Sequence, residues 1–160
     1  MLFRSALGGS IQNIVTDNEE TAKGMISFLK QTKSGRATFL PLNSIKNAQE
    51  FRQKEALKEP GVLGLAHTLV HTDEKYGDVA KSLLGRIVVV DHVDHATQLA
   101  RKFKYSLRIV TLEGESLSPG GSISGGAFKN SSNLLGRRRE IEELEWKVKA
   151  HAKAVDELLV

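Results

Sequence analysis

The 160-residue sequence contains no cysteine. Disulfide scaffolds, thiolate zinc sites and thiol nucleophiles are therefore excluded, and the absence fits a reducing cytoplasm. No apolar run is long enough to span a bilayer. The opening MLFRSALGGS has no adequate apolar h-region and does not read as a secretory signal. Chemistry-bearing motifs are missing as well. No G-x-x-x-x-G-K-[ST] occurs, which removes a Walker-type ATP site. None of Ser10, Ser116, Ser122 and Ser124 sits in a G-x-S-x-G elbow. His67 and His71 are spaced like a zinc pair, but HTLVH lacks the glutamate of H-E-x-x-H, and both read as surface or packing residues. The carboxylates are scattered, with no pair placed across a cleft. No catalytic residue, cofactor site or resident metal is expected, so the chain reads as non-enzymatic.

What is present describes a folded α/β chain. Hydrophobic residues make up 40% and charged residues 26%, enough for one domain with a core, or one domain plus an extension. A net charge of +4 permits nucleic-acid contact without demonstrating it. IQNIV (11–15) reads as a strand, followed by a helix capped at Asp17 or Asn18 with Ala22, Met25, Ile26 and Leu29 at helical spacing. ATFL (37–40) reads as a strand, 44–57 as partly helical, and Pro60-Gly61 as a turn. Val62–Ala66 is a candidate strand. Asp73 is placed to cap a helix through Leu84, ended by Gly85. RIVVV (86–90) has the look of a buried strand, Asp94 is placed to cap a helix through Lys102, and 107–112 is a further strand before a turn at Glu113-Gly114-Glu115. The alternation predicts a mixed α/β (α+β) fold. From Leu134 the pattern changes: Ile141, Leu144, Val148, His151, Val155 and Leu158 recur at heptad spacing, a coiled-coil seam without a partner helix.

Three constellations invite a function. PGGSISGG (119–126) places four glycines in seven residues, but its spacing is not the G-x-G-x-x-G of dinucleotide sites and no apolar helix follows directly. Close approach of another strand or subunit remains, beside the alternative of a tight turn within one monomer. DHVDH (91–95) holds metal-ligand residue types, yet it lies between a strand end and a helix start, where Asp91 and Asp94 have turn and capping roles. Arg137, Arg138 and Arg139, with Lys129 upstream, form the densest basic run and are candidates for phosphate contact. A charged start to a solvated helix is the other reading, with Glu140, Glu142, Glu143 and Glu145 in reach. Nothing interleaves aromatics with these charges as a base-stacking platform would.

ALGG-x-x-QNIV (6–15), GRATFLPL (35–42), LLGRIVVVD (83–91), RIVTLEGE (108–115) and PGGSISGG leading into LLGRRREIEELE occur in one order over nearly the whole chain. In these stretches the sequence resembles the hinge domain of bacterial structural-maintenance-of-chromosomes (SMC) proteins. The resemblance implies a hinge fold of two subdomains with short mixed sheets and flanking helices, followed by the start of a coiled-coil arm. Its expected boundaries are 6–60 for subdomain I, 61–133 for subdomain II and 134–160 for the arm. Residues 1–5 read as a non-native scar, and family hinges carry a further strand and helix before ALGG, so subdomain I is expected to be incomplete with apolar sheet surface bare. The resemblance further implies homodimerisation through Gly120, Gly121, Gly125 and Gly126, in a parent that acts in chromosome condensation and segregation. Such a parent is a cytoplasmic, nucleoid-associated ATPase whose heads, absent here, meet a kleisin and its accessory subunit; no membrane is involved. Weak contact with single- or double-stranded DNA is implied near the arm, at Lys129 and Arg137 to Arg139, although relatives carry a lysine run where Asn130 and Ser131 follow Lys129 here. The rival readings are a DNA-binding module with incidental dimerisation and a nucleotide-binding enzyme, the latter disfavoured by its missing fingerprint.

Overall fold

The structure is a computed structural model that describes residues 2–46, 48–127 and 136–159. Its contacts form two compact units, Met1–Gly126 and Ala127–Val160. The first holds α1 (Leu2–Leu7), β1 (Ile14–Thr16), α2 (Glu19–Thr32), β2 (Phe39–Pro41), β3 (Val62–Leu65), α3 (Gly77–Leu84), β4 (Ile87–Val90), α4 (Val93–Lys102), β5 (Arg108–Thr111), β6 (Ser116–Leu117) and β7 (Ile123–Ser124). The second holds α5 (Arg137–Leu158). The mixed α/β class read from the sequence is the class observed.

β1 and β2 pair in parallel, Ile14 opposite Phe39, with α2 as the crossover. The Asn18 side chain accepts the Thr21 N–H at 2.9 Å and caps α2, while Glu19 and Glu20 occupy the first turn, where the helix dipole favours them. Lys33, at φ 51°, ends the helix two residues before Gly35. In this part only Thr16 and Ala22 are buried, whereas Ile14, Val15, Met25, Ile26 and Phe28 remain exposed. Apolar surface on this small sheet is therefore bare.

The second sheet has the order β3-β4-β5-β6-β7. Its centre is β4–α4–β5, a parallel pair joined by a helix. All four β4 residues are buried. Val88 and Val90 pack with Ala96, Leu99 and Ala100 of α4; Ile87 and Val89 pack on the opposite face with Ala6, Ala66 and Leu84. Alternate side chains leave opposite faces of a strand, and both faces here are covered, which is why RIVVV is apolar without alternation. Leu2 and Phe3, within the segment read as a scar, also pack on the second of these clusters.

Several local expectations give way. Ile11 and Gln12 belong to a 3-10 turn, so β1 starts only at Ile14. The 44–57 stretch is mostly non-helical, with one 3-10 turn at Lys54–Lys58. Asp73 does not cap α3: it precedes a 3-10 turn, makes no capping bond, and α3 begins at Gly77. Asp94 lies inside the first turn of α4, whose N-cap position is His92. Gly85 does end α3, but for a different reason than expected. Its φ is −69°, and a Cβ there would lie 2.4 Å from the Lys81 carbonyl oxygen. Absence of a side chain is what this position requires, not a left-handed backbone.

α5 buries none of its residues within its own unit. Ile141, Leu144, Val148, Val155 and Leu158 are each at least half exposed along the heptad seam. No helix among the described residues is long and apolar enough to cross a membrane.

Candidate dimerisation surface

β6 and β7 form an antiparallel hairpin at the margin of the second sheet, with Ser116 opposite Ser124 and Leu117 opposite Ile123. Leu117 is buried in the core beside α4, while Ile123 is 57% exposed. β7 pairs with β6 alone, so its outer backbone groups face no strand among the described residues. An unpaired edge with an exposed β-branched residue is a template for another chain.

The turn of this hairpin is fixed from three sides. The Ser118 N–H donates to the Ser122 carbonyl at 3.0 Å, the Gly121 N–H to the Ser118 carbonyl at 3.1 Å, and the Gly120 N–H to the Tyr105 carbonyl at 2.9 Å. Gly120 and Gly121 sit at φ +95° and +97°, a region that side chains disfavour. Turn conformation by itself accounts for glycine at both positions, as the tight-turn alternative foresaw.

Gly125 and Gly126 are different, because they follow β7 rather than turn into it. A Cβ on Gly125 would stand 3.0 Å from the Glu115 Cγ. Glu115 is held there by Thr111, whose hydroxyl hydrogen-bonds the Glu115 carboxylate and accepts the Glu115 N–H at 3.1 Å. Gly126 has φ +119°, and a Cβ there would meet nothing within 4 Å among the described residues. Space beside its backbone is thus open along the exposed edge.

The basic candidates lie elsewhere in the chain. Lys129 is outside the described residues. Arg137, Arg138 and Arg139 form the first turn of α5. Arg138 pairs with Glu142 at 3.2 Å and Arg139 with Glu143 at 3.5 Å, both exposed i,i+4 contacts of small energetic weight. Arg137 has no carboxylate within salt-bridge range among the described residues.

Within DHVDH, which the sequence offered as metal-ligand residue types but which read as turn and capping chemistry, the structure brings three side chains together. Asp91 accepts the His92 N–H at 2.7 Å and contacts His95 Nδ1 at 2.8 Å. The His92 and His95 rings stack with centroids 4.1 Å apart. The His95 hydrogen bond, followed by that of the His92 N–H, holds the Asp91 carboxyl below the usual carboxylate range. The signal available was H-x-x-H across a first helical turn, which places both rings on one face.

Comparison with known proteins agrees with this architecture. Residues 2–100 match the family described as SMC proteins Flexible Hinge Domain. The Chromosome partition protein Smc of Desulfitobacterium hafniense is 49% identical over 140 residues, which is 87% of this chain and 12% of that protein. The present chain thus spans about an eighth of such a relative's length. The crystal structure of an asymmetric dimer of the Geobacillus stearothermophilus SMC hinge domain matches with a TM-score of 0.75 and 38% identity, over 98% of this chain and 64% of that one. The Pyrococcus furiosus Smc hinge domain with an extended coiled coil matches with a TM-score of 0.63 and 31% identity, over 98% and 54%. The chain belongs to the SMC hinge family.

Proposed function

We propose that the chain is the dimerisation module of a chromosome partition SMC protein, joining two copies through the β7 edge and the glycines beside it. The observation that carries this reading is the unpaired outer edge of β7, followed by Gly126 with open space at its Cβ position. Backbone-to-backbone pairing at such an edge needs no side-chain pocket, and glycine removes the bulk that would keep strands apart. Gly120, Gly121, Gly125 and Gly126 are assigned to this interface, the first two through the turn they shape. The solved relative from Geobacillus is described as a dimer, in keeping with the assignment.

The exposed heptad seam of α5 fits the start of an arm whose other half comes from elsewhere in a longer parent. In that parent, ATPase heads, kleisin and accessory subunit lie outside the present residues, and the protein works in the cytoplasm on the nucleoid. The proposed division of the hinge is 6–60 and 61–133, with β1 and β2 in the first part and β3 to β7 in the second, while Ala6, Phe51 and Ala56 of the first part pack in the clusters around β4 and β5. Weak DNA contact at Lys129 and Arg137 to Arg139 is the second part of the proposal. It is supported by the arginine run at the start of α5 and a net charge of +4.

The test is sedimentation velocity of the wild-type chain beside Gly125→Glu and Gly126→Glu. The reading expects a reversible dimer in the first and monomers in both variants, with Gly125→Glu also less stable because its Cβ crowds the Glu115 Cγ. Dimers of unchanged affinity in both variants would refute the glycine interface.

A further inference from the structure

We infer that Asp91, His92 and His95 form a binding site for a borderline divalent transition-metal ion such as Zn2+, Ni2+ or Cu2+. Their ligand atoms all lie within 4.8 Å of one another. They reach this grouping by two routes. Asp91 leaves the end of β4, while His92 and His95 occupy the N-cap and first turn of α4, three residues apart on one helical face. Stacking of the two rings at 25° shows that they already share that face.

The chemistry matches the ion class. Two imidazoles and one carboxylate suit zinc, copper or nickel, whereas magnesium and calcium prefer all-oxygen sets. With metal–nitrogen bonds of about 2.0–2.1 Å, tetrahedral ligand atoms stand about 3.3 Å apart, so closure takes side-chain rotation and leaves the backbone in place. All three side chains retain solvent access, with 36%, 49% and 30% of their surfaces exposed for Asp91, His92 and His95. An incoming ion therefore has a path, and a fourth position stays open to water or to another ligand. A carboxylate at Asp91 places negative charge against the helix-dipole repulsion that a cation meets at a helix N-terminus.

A second, independent observation is the backbone facing the cluster. Gly61 adopts φ +79°, and a Cβ there would lie 2.2 Å from His95 Nδ1 and 2.6 Å from Asp91 Oδ1. The Gly61 carbonyl accepts the Asp91 N–H at 2.9 Å, which fixes this glycine against the site. The missing side chain on Gly61 thus makes room for the His95 ring and the Asp91 carboxylate themselves, which lets these two ligand groups come together. An ion bound there would tie the end of β4 to the start of α4.

The test is isothermal titration of the full 160-residue chain, free of any histidine tag, with ZnCl2. The proposal expects saturable binding of one ion per chain. The pair variant His92→Ala/His95→Ala should weaken it at least about tenfold. His67→Ala/His71→Ala removes the other close histidine pair and should leave the affinity unchanged. Circular dichroism checks folding, and should the 92/95 pair variant unfold, the more exposed His92→Ala alone serves as the ligand deletion. Copper titration adds a direct readout: two coordinated imidazole nitrogens in the Cu2+ electron paramagnetic resonance spectrum. No saturable binding in the wild type, equal binding without His92 and His95, or loss on removing His67 and His71 instead would each overturn the assignment.

Discussion

The backbone N–H of Gly120 donates to the carbonyl of Tyr105 across 2.9 Å, which ties the tip of the edge hairpin to the chain leaving α4. Tyr105 itself is at φ +56°, and its ring lies 3.5 Å from where a Gly121 side chain would begin. The hairpin is thus anchored at its turn while its outer strand stays free. That combination is what the proposed pairing at β7 requires: an edge held in place within its own chain.

Gly126→Glu should separate folding from association. Its Cβ would meet nothing within 4 Å among the described residues, and the strain that φ +119° puts on a side chain falls beyond the end of β7, so a folded monomer is expected with near-native circular dichroism. Dimer affinity should fall about 100-fold or more, about 2.7 kcal/mol, in sedimentation equilibrium. Loss of folding together with association would show instead that the glycine serves the monomer.

Ile123→Asp places a charge on the exposed edge strand, opposite buried Leu117. Charged residues on an edge discourage strand addition. The variant is expected to weaken the dimer while changing the melting temperature of the dilute protein little. Concentration-dependent melting curves give both quantities.

Ile109→Ala removes a fully buried side chain from the centre of β5. A loss of about 2–5 kcal/mol is expected in urea unfolding. Gly85→Ala should cost about 1–3 kcal/mol although it adds only a methyl group, because the Cβ collides with the Lys81 carbonyl. A neutral Gly85→Ala would contradict the packing described at the end of α3.

Legibility of these features in the sequence follows how local their causes are. β4 could be read from RIVVV, because burial on both faces writes an unbroken apolar run into the chain. The α2 cap was legible to within one residue, Asp17 or Asn18, for the same reason: the cap, Asn18, and its recipient, Thr21, are three residues apart. Asp73 and Asp94 misled because a suitable residue before a helix is only a candidate, and the chain placed a 3-10 turn after one and advanced the helix start past the other. α1 was hidden since its reason is tertiary: Leu2, Phe3 and Ala6 pack against Ile87, Val89 and Val110, residues far along the chain. The glycine pattern pointed to the hairpin, but only the structure separates Gly120 and Gly121, whose N–H groups close the turn onto Tyr105 and Ser118, from Gly126, which follows β7, since all three share a positive φ. Gly61 beneath Asp91 and His95 is a contact across thirty residues that no local pattern announces.

His67 gives a pH test of the core. Burial, with a smaller contribution from the charge of Lys81, lowers its pKa below the ordinary 6.5, and its Nδ1 has no hydrogen-bond partner among the described residues. The unfolded chain therefore takes up a proton at His67 before the folded one does. Stability is at its full value above pH 6.5 and falls as pH drops from there towards the folded pKa. His67→Gln should flatten that part of the stability profile in denaturant titrations. An unchanged slope would mean that this imidazole is not the group responsible.

Neutralising Arg137, Arg138 and Arg139 to glutamine tests DNA contact. Each arginine that meets a phosphate should reduce the slope of log affinity against log salt by about 1. Fluorescence anisotropy with a labelled oligonucleotide at several salt concentrations reads this directly. An unaltered slope would assign the run to its Glu142 and Glu143 pairs alone.

The most direct test of dimerisation is the molar mass of the wild-type chain by light scattering on a sizing column, across a dilution series. The account predicts twice the 17.6 kDa chain mass at high concentration, dissociating reversibly on dilution. A folded species of 17.6 kDa at every concentration would contradict it.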